Sequence, residues 1–439
     1  MQKRGVWLLR LLDVFWGLAL GAYIWAGYGD VPFHGDESMQ IAVSRDYAYI
    51  FQDHDPAAVF YDPNDPDTAM SELRVVNGTI PRWAIGLGWA AAGLSADDLN
   101  DPWDWGLDWD ANAAAGNLPS ERLLRAARRP STLLTVLSAW GLFVIVRRLH
   151  KERIAAYVAS GLYATMPIVL VNGRRAVLEG PLLAGAVLVA LGTLWTLYAL
   201  QDHRAHWWHY ALLGVASAFA VAAKHTNVLI VAWGFVSLFW AAGVWNVRRN
   251  VWPGLLLAGT LSVEVFLLLN PSWWSDVCGM PARVATMRKT LLDAQRVTYG
   301  GYPDWGAGLA GMVRHTLYPQ AQYFEAPPWA NYAPLQTSIA AYEKTLWAGW
   351  RGGVWSAAVL LTGLGWGTAW FCSRRREPEA LFMLLWMWGS ALVLWLTIPF
   401  GWQRYYLPLS QPLAVFAGVG WAWALGALRG ALPRQRAVH

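Results

Sequence analysis

The chain has 439 residues, of which 56% are hydrophobic and 14% are charged, and 31 of them are tryptophans. A soluble globular domain has roughly 25% charged and about 45–50% apolar residues, so this composition excludes a disordered chain, a nucleic-acid-binding arm and an ordinary cytosolic enzyme. Apolar runs of about 18 or more residues recur, and each is long enough to cross a bilayer as a helix. The sequence therefore predicts a multi-pass membrane protein, and its formal net charge of +5 is the sum of an uneven distribution.

We predict an all-α polytopic protein that forms a single membrane domain over residues 1–439. Its spanning helices are predicted, in chain order, at 7–28, 130–146, 154–172, 178–200, 209–223, 226–245, 253–270, 353–372, 380–398 and 405–428. The first is expected to be a retained signal-anchor helix, because Arg10 and Asp13 interrupt its apolar run. The apolar stretch 80–94 is short for a span and is predicted to be an interfacial helix.

Lysine and arginine are concentrated in short segments between the predicted spans. These segments carry 16 Lys and Arg against 4 Asp and Glu, and they are 1–10, 147–153, 201–208, 246–252, 373–379 and 429–439. Such segments stay on the cytoplasmic side, so both termini are predicted to be cytoplasmic in a plasma or inner membrane. Two long segments then lie outside, 29–129 with 17 acidic and 7 basic residues, and 271–352, which is rich in aromatic residues.

The first of four polar motifs on the outer side follows the first span and reads His34-Gly35-Asp36-Glu37-Ser38. Adjacent carboxylates near the membrane surface could act as a general base and a positioning group. Together with His34 they could also bind a divalent metal. A glycine turn followed by the acidic first turn of a helix explains the same residues without any function.

The second motif joins the third and fourth predicted spans in a tight outer turn and contains Arg174, Arg175 and Glu179. Two arginines on the outer side run against the usual distribution of positive charge. Guanidinium groups bind phosphate through paired hydrogen bonds, so a phosphate site would explain them. The structural alternative is an ion pair between Arg175 and Glu179, which are four residues apart.

The third motif, Lys224-His225-Thr226-Asn227, lies between the fifth and sixth predicted spans. Lys224 could bind a phosphate beside the N-terminus of the sixth span, where the helix favours anions. It could equally lie with its stem on apolar surface and its ammonium group in water. The residues alone do not decide between these two interpretations.

The fourth motif opens the last predicted span and runs from Gly401 to Pro408. Its Trp402, Tyr405 and Tyr406 suit an aromatic belt at the membrane surface. Arg404, however, has the wrong sign for a topology signal at an outer helix end. The four motifs together place cations and carboxylates near the outer surface, a combination that suits a lipid-linked phosphate and the activation of a hydroxyl or the binding of a metal.

These motifs resemble those of the GT-C membrane glycosyltransferases, especially the protein O-mannosyltransferase and lipid A aminoarabinose transferase branch, whose donor is a polyprenyl-phosphate sugar. Asp36-Glu37 resembles the acidic pair of their first outer loop. Arg174 and Glu179 have the spacing of an Arg and an Asp in protein mannosyltransferases, with Glu here in place of Asp. Lys224 and the stretch Arg404–Ala414 resemble the later motifs of that branch.

The resemblance implies a GT-C-like fold and an inverting transfer of a sugar from a polyprenyl-phosphate donor to a hydroxyl acceptor on a protein, lipid or glycan at the outer membrane face. It implies Asp36 and Glu37 as catalytic residues, with Glu37 orienting groups around the phosphate. It implies donor-phosphate binding by Arg174, Arg175, Lys224 and Arg404, supported by His34, Glu179, His225 and Tyr405. A divalent metal on His34, Asp36 and Glu37 stays open, and no nucleic acid is expected as a partner.

Two other functions stay open at this point. A secondary transporter would explain Glu264 within a span and the helices interrupted by Gly and Pro, although the polar groups collect at one face and not at the midplane. A non-catalytic scaffold subunit could keep the same fold. Loss of the carboxylate pair would have favoured the scaffold, and Asp36-Glu37 is present.

Overall fold

The computed structural model of the protein describes residues 2–65, 68–245, 248–318, 320–351 and 353–431. All regular secondary structure in these ranges is helical, which confirms the predicted fold class. Parts of the predicted cytoplasmic segments 246–252 and 429–439 lie outside the described residues.

The helices form a bundle that two long loops interrupt. The chain begins with α1 (Gln2–Ala26) and continues through the first long loop with α2 (Gly35–Val43), α3 (Asp46–Phe51), α4 (Thr68–Val76), α5 (Thr79–Ala91) and α6 (Trp109–Ala114). The bundle continues with α7 (Glu121–Leu149), α8 (Arg153–Thr165), α9 (Pro167–Arg174), α10 (Glu179–Gln201), α11 (Trp207–Ala223), α12 (Val228–Val244) and α13 (Arg248–Leu269). The second long loop contains α14 (Met280–Tyr299), α15 (Trp305–Leu317) and α16 (Ala333–Glu343). The last part contains α17 (Gly353–Ser373), α18 (Pro378–Leu384), α19 (Ser390–Thr397), α20 (Gln403–Tyr406) and α21 (Ser410–Ala431).

Eight helical segments of the described chain are long and apolar enough to cross a membrane. They are Trp7–Ala26, Glu121–Leu149, Glu179–Gln201, His225–Val244, Val251–Leu269, Gly353–Ser373, Pro378–Thr397 and Gln403–Arg429. The pair α8 and α9 makes a ninth if it counts as one span. Helix α11 covers the predicted span 209–223 but has only 17 residues. All ten predicted stretches are therefore helical, and eight or nine of them qualify as spans by length and composition.

The predicted span 154–172 is broken, and the break has a local cause. Helices α8 and α9 meet at a bend of 59°. Pro167 follows Met166, and a proline pushes the residue before it out of the helical region. Met166 accordingly has an extended backbone, with φ −65° and ψ 121°. The bend separates α8 from α9, whose last residue is Arg174.

The apolar stretch 80–94 forms α5, whose 13 residues are too few to span a bilayer. Helix α5 packs directly against α7. A Cβ atom at Gly88 would lie 2.6 Å from the carbonyl oxygen of Ala126, so glycine permits this close approach. Its location at a membrane surface stays a prediction.

Small residues also bring the helices that carry the second motif close together. Helix α10 packs between α7 and α11, and its first turn lies against α7. A Cβ atom at Gly180 would lie 2.4 Å from the carbonyl oxygen of Ser131. Because no larger residue fits there, the glycine fixes the start of α10 and with it the position of Glu179.

The two long loops pack against each other and form a cap on one end of the bundle. Trp103 and Trp109 of the first loop contact Trp329 and Tyr332 of the second, with ring centroids 5.2 Å apart for Trp103 and Trp329 and 5.9 Å apart for Trp109 and Tyr332. Trp103 and Trp329 are buried in this cluster. We call the two packed loops the cap, and the charged motifs lie beneath it.

Candidate functional site

A cavity of about 340 Å³ lies between the cap and the helix bundle. Its charged lining residues are the carboxylates of Asp36, Glu179 and Glu325 and the cations of Lys224, Arg288 and Arg404. Tyr405 also lines it. The structure thus brings together five of the ten residues predicted from the sequence and adds Arg288 and Glu325, which no sequence motif had indicated.

Asp36 reaches the cavity from the first turn of α2. The start of this helix is capped by His34, whose Nδ1 accepts a hydrogen bond from the backbone N–H of Asp36 at 3.0 Å. The Glu37 Oε2 accepts from the His34 N–H at 3.1 Å, which completes a capping box. The Asp36 side chain is 24% exposed and forms an ion pair with Arg404. The motif is therefore both a helix start and the source of the accessible carboxylate.

Glu37 does not line the cavity and is fully buried. Its two oxygens accept hydrogen bonds from Arg128 Nε and Nη2, both at 2.7 Å, and Oε1 also accepts from the Ala176 N–H at 2.9 Å. Burial opposes ionisation, but the Arg128 guanidinium outweighs it and holds the pKa of Glu37 below its ordinary value. Glu37 therefore ties α2 to α7 and to the turn before α10.

Arg174 and Arg175 lie outside the cavity lining, and both are buried. Arg174 donates to the carbonyl oxygens of Tyr23, Ile24 and Trp347 and to the Tyr342 hydroxyl, at 2.6–2.8 Å. Four of its five N–H donors therefore hold α1, α9 and the second loop together.

Arg175 is likewise engaged with backbone. It donates to the carbonyl oxygens of Pro32 at 3.0 Å and Tyr323 at 2.8 Å. The alternative ion pair between Arg175 and Glu179 is absent from the described contacts, because α10 begins only at Glu179 and Arg175 is not on its first turn. Because neither arginine lines the cavity, phosphate binding by Arg174 and Arg175 stays a prediction of the sequence.

Three cations converge on the ring of Tyr405. Lys224 Nζ lies 5.8 Å, Arg288 Cζ 5.4 Å and Arg404 Cζ 5.9 Å from the ring centroid. Lys224 is paired with Glu179 Oε1 at 2.8 Å, and Arg404 is paired with Asp36 and Glu325. Arg288 forms no ion pair with the residues that the structure describes, so this end of the cavity is suited to an anion.

His225, one of the predicted supporting residues, is not part of the cavity lining. Its ring lies among aromatic side chains, with centroids 5.9 Å from Trp273 and 6.3 Å from Phe266. The adjacent Lys224 points the other way, toward Glu179 and Tyr405. The Lys224-His225 motif therefore separates into one charged cavity residue and one packing residue.

Glu325 links His34 to Arg404. Its Oε2 lies 2.7 Å from His34 Nε2, and its Oε1 lies 3.2 Å from Arg404 Nε. The His34 Nδ1 accepts from the Asp36 N–H, so a neutral His34 carries its proton on Nε2 and donates it to Glu325. In the sequence, Glu325 is the only carboxylate of the aromatic stretch 318–342. No local motif around it indicates a functional role.

The protonation of this group follows from its burial. Burial, together with the nearby Arg175 and Arg404, holds the pKa of His34 well below 6.5. Burial raises the pKa of Glu325 to about 7, against the opposing effect of Arg175. His34 is therefore neutral near neutral pH, and Glu325 changes its charge there. Only the ionised Glu325 accepts hydrogen bonds on both oxygens from His34 and Arg404.

A pH profile tests this arrangement. For the sugar transfer that the sequence motifs predict, we expect kcat/KM to rise as the pH passes through about 7 and to level off above it. The reason is that Glu325 must lose its proton to hold Arg404. One pH unit below that value, kcat/KM should be about tenfold lower than its constant value at high pH. Glu325→Gln should remove this rise, whereas Glu72→Gln, at an exposed position of α4, should keep it. An unchanged rise in Glu325→Gln would assign the titration to another group.

The three residues considered as metal ligands have other partners. His34 contacts Glu325, Asp36 contacts Arg404, and both oxygens of Glu37 are occupied by Arg128. No group of three or more His, Cys, Asp and Glu side chains suited to a metal occurs among the described residues. Metal binding by these three residues therefore gains no support from their contacts.

The comparisons with solved structures identify the fold. The crystal structure of the Archaeoglobus fulgidus oligosaccharyltransferase in the apo form is similar with a TM-score of 0.55 and 13% identity, over 96% of this chain and 51% of that one. ArnT from Cupriavidus metallidurans, bound to undecaprenyl phosphate, is similar with a TM-score of 0.51 and 15% identity, over 94% of this chain and 62% of that one. The chain spans about half to three fifths of the length of these structures. It has the GT-C fold of the membrane glycosyltransferases.

The sequence comparison gives a match over part of the chain. Residues 107–269 match the family model described as dolichyl-phosphate-mannose-protein mannosyltransferase. This range extends from the end of the first loop through α13 and contains Arg174, Glu179 and Lys224. The search of curated proteins gave no match. The resemblance first seen in the four motifs is confirmed at the level of the GT-C fold.

Proposed function

We propose that the protein is an inverting glycosyltransferase that transfers a sugar from a polyprenyl-phosphate donor to a hydroxyl acceptor. One observation carries the proposal: three cations meet around Tyr405, next to the partly exposed carboxylate of Asp36. A reaction in which a phosphate leaves and a hydroxyl attacks needs these two features side by side.

The cations keep donors free for a phosphate. A lysine has three N–H donors and an arginine five. Lys224 uses one for Glu179, and Arg404 uses two for Asp36 and Glu325, while Arg288 forms no ion pair with the described residues. The remaining donors of Lys224, Arg288 and Arg404 would bind the donor phosphate. They would stabilise the charge that develops on it as it leaves.

Asp36 would act as the base. The acceptor oxygen attacks C1 of the sugar on the side opposite the phosphate, and its proton moves to the Asp36 carboxylate, which is paired with Arg404. The bond from C1 to the phosphate oxygen breaks, and the electron pair stays on the phosphate. Because phosphate is a good leaving group, the step needs neither a second acid nor a covalent enzyme intermediate.

Two comparisons support a lipid-linked donor. The match over residues 107–269 is to a family described by its dolichyl-phosphate-mannose substrate, and ArnT is described as bound to undecaprenyl phosphate. The acceptor would be a hydroxyl group of a protein, lipid or glycan. From the charge distribution of the sequence, both termini would lie in the cytoplasm and the cavity at the outer face of the plasma or inner membrane.

The transporter alternative gains no support from Glu264. That residue lies on the exposed side of α13, away from the bundle interior in which a transport path would run. The scaffold alternative would leave the carboxylate and cations of the cavity without a role. Both alternatives predict that no sugar is transferred.

Transfer by the purified protein tests the proposal. Protein in lipid nanodiscs is mixed with radiolabelled polyprenyl-phosphate sugars and with a panel of peptide, lipid and glycan acceptors. We expect label to move to one acceptor class with inversion at C1, as read by NMR of the product. Absence of transfer together with absence of donor binding would reject the proposal.

Arg288 provides a test with a matched neighbour. Arg288→Ala removes a charged hydrogen-bond donor and should weaken polyprenyl phosphate binding by about 10- to 100-fold. Lys289→Ala removes the adjacent cation, which is 79% exposed and paired with Asp293, and should leave binding within about twofold. Equal effects of the two variants would mean that only the general charge of α14 matters.

A further inference from the structure

Two buried oxygen atoms at the cavity lack hydrogen-bond partners. They are Oε1 of Gln40 and Oε2 of Glu179, and no donor within the described residues bonds to either. Both side chains border the cavity, and they are only 4% and 2% exposed. Buried acceptors are nearly always paired in native proteins, because an unpaired one costs free energy. Two buried acceptors without donors in the lining of one cavity therefore require an explanation.

The positions of the two residues indicate which ligand could pair them. Gln40 lies on α2 four residues after Asp36, so both side chains are on the same face of that helix. The other oxygen of Glu179 binds Lys224, one of the cations assigned to the donor phosphate. The two residues therefore lie in the cavity wall, Gln40 beside the proposed base and Glu179 beside the proposed phosphate site.

We propose that Gln40 and Glu179 recognise the transferred sugar by accepting hydrogen bonds from its ring hydroxyls. This inference rests on the proposed function and deepens it. The group bound between the base and the phosphate is the sugar, and hydroxyls are the donors that it offers. The donor sugar would therefore carry at least two free hydroxyls, one toward the amide oxygen of Gln40 and one toward the carboxylate oxygen of Glu179.

The acceptor substrate explains the two oxygens less well. Its hydroxyl must approach C1 from the side opposite the phosphate, where Asp36 takes the proton, whereas Glu179 is joined to the phosphate side through Lys224. A sugar is bonded to the phosphate and extends from it toward Asp36. It is thus the group that reaches both Glu179 and Gln40.

The first test compares two ligands in one variant. Gln40→Met keeps the length of the side chain and removes its acceptor oxygen. Binding of a polyprenyl-phosphate hexose should weaken by about 3- to 10-fold, the loss of one neutral hydrogen bond, while binding of polyprenyl phosphate without a sugar stays within about twofold. Gln52→Met, at an exposed position beyond α3, should change neither affinity.

Thermal unfolding of the same variant separates recognition from a structural role. Gln40→Met removes an unpaired buried acceptor, so its midpoint temperature should equal or exceed that of the wild type. A variant that binds the sugar ligand weakly only because it is poorly folded would have a lower midpoint and would also lose polyprenyl phosphate. That result would overturn the inference.

Deoxy donors complete the test as a double-mutant cycle. One deoxy analogue should bind the wild type about 3- to 10-fold more weakly and lose little further affinity in Gln40→Met, because the same hydrogen bond is already absent. Fully additive losses for every deoxy position would overturn the inference. The inference would also be overturned if Gln40→Met changed only the KM for the acceptor. If polyprenyl phosphate itself does not bind, the proposed function fails along with it, a result distinct from those two.

Discussion

Asp36→Asn is expected to lower kcat by about 10²- to 10⁴-fold, the usual contribution of a general base. The amide keeps the size of the side chain but cannot take the proton of the acceptor hydroxyl. Binding of polyprenyl phosphate should persist, because Lys224, Arg288 and Arg404 are unchanged and a nearby negative charge is removed. Transfer rates at saturating donor and acceptor measure the effect.

The matched control is Asp30→Asn, an exposed position six residues earlier on the same loop. It should retain wild-type kcat. Full activity in Asp36→Asn would show that another group accepts the proton. Loss of both activity and lipid binding would instead assign Asp36 a role in forming the site.

Arg128→Met is expected to cost about 3–5 kcal/mol of the free energy of unfolding, because it leaves a fully buried carboxylate without its partner. Glu37 has no solvent exposure and is held by two hydrogen bonds from Arg128. Arg129→Met, at the adjacent exposed position, should change stability by less than about 1 kcal/mol. Denaturant or thermal unfolding in detergent micelles measures both variants.

A joint change of Glu37→Leu and Arg128→Met should recover a large part of that loss, because neither charge is then left buried alone. This result would establish that Glu37 is an anchoring residue of the fold. If Arg128→Met proves as stable as the wild type, the carboxylate must have another partner, and a direct catalytic role for Glu37 would again require a test.

The sequence was sufficient to predict the helical class and five of the residues that line the cavity. Long apolar runs are determined by local composition, so all ten stretches were found to be helical. The break at Pro167 could have been predicted from that residue, which disfavours helix at Met166. Helix α11 is apolar but has only 17 residues, so composition alone does not decide whether it spans the membrane.

Site residues could be predicted only where their distance along the chain from a predicted span determines where they lie. Asp36 comes ten residues after the end of α1, and Lys224 and Arg404 lie within two residues of the start of predicted spans. The predicted topology therefore places all three near the same membrane surface. Arg174 and Arg175 are at a similar level, but whether a guanidinium turns to a cavity or to backbone carbonyls depends on the packing of α1 and the second loop. No local pattern contains that information.

Arg288 and Glu325 were missed for a related reason. Both belong to the second long loop, and each reaches the cavity only because this loop folds onto the first one. Glu325 lies 291 residues from its partner His34. Contacts across such a separation are set by tertiary packing, in this protein by the tryptophan cluster around Trp103 and Trp329.

A structure of the protein with bound polyprenyl phosphate is the decisive test of the proposed phosphate site. We predict that the phosphate lies in the cavity beneath the cap, within about 3.2 Å of N–H donors of Lys224, Arg288 and Arg404. The lipid tail should leave the cavity toward the membrane. A phosphate bound elsewhere, for example beside a displaced Arg174, or a cavity that stays closed to the lipid at saturating concentration, would contradict the proposed function.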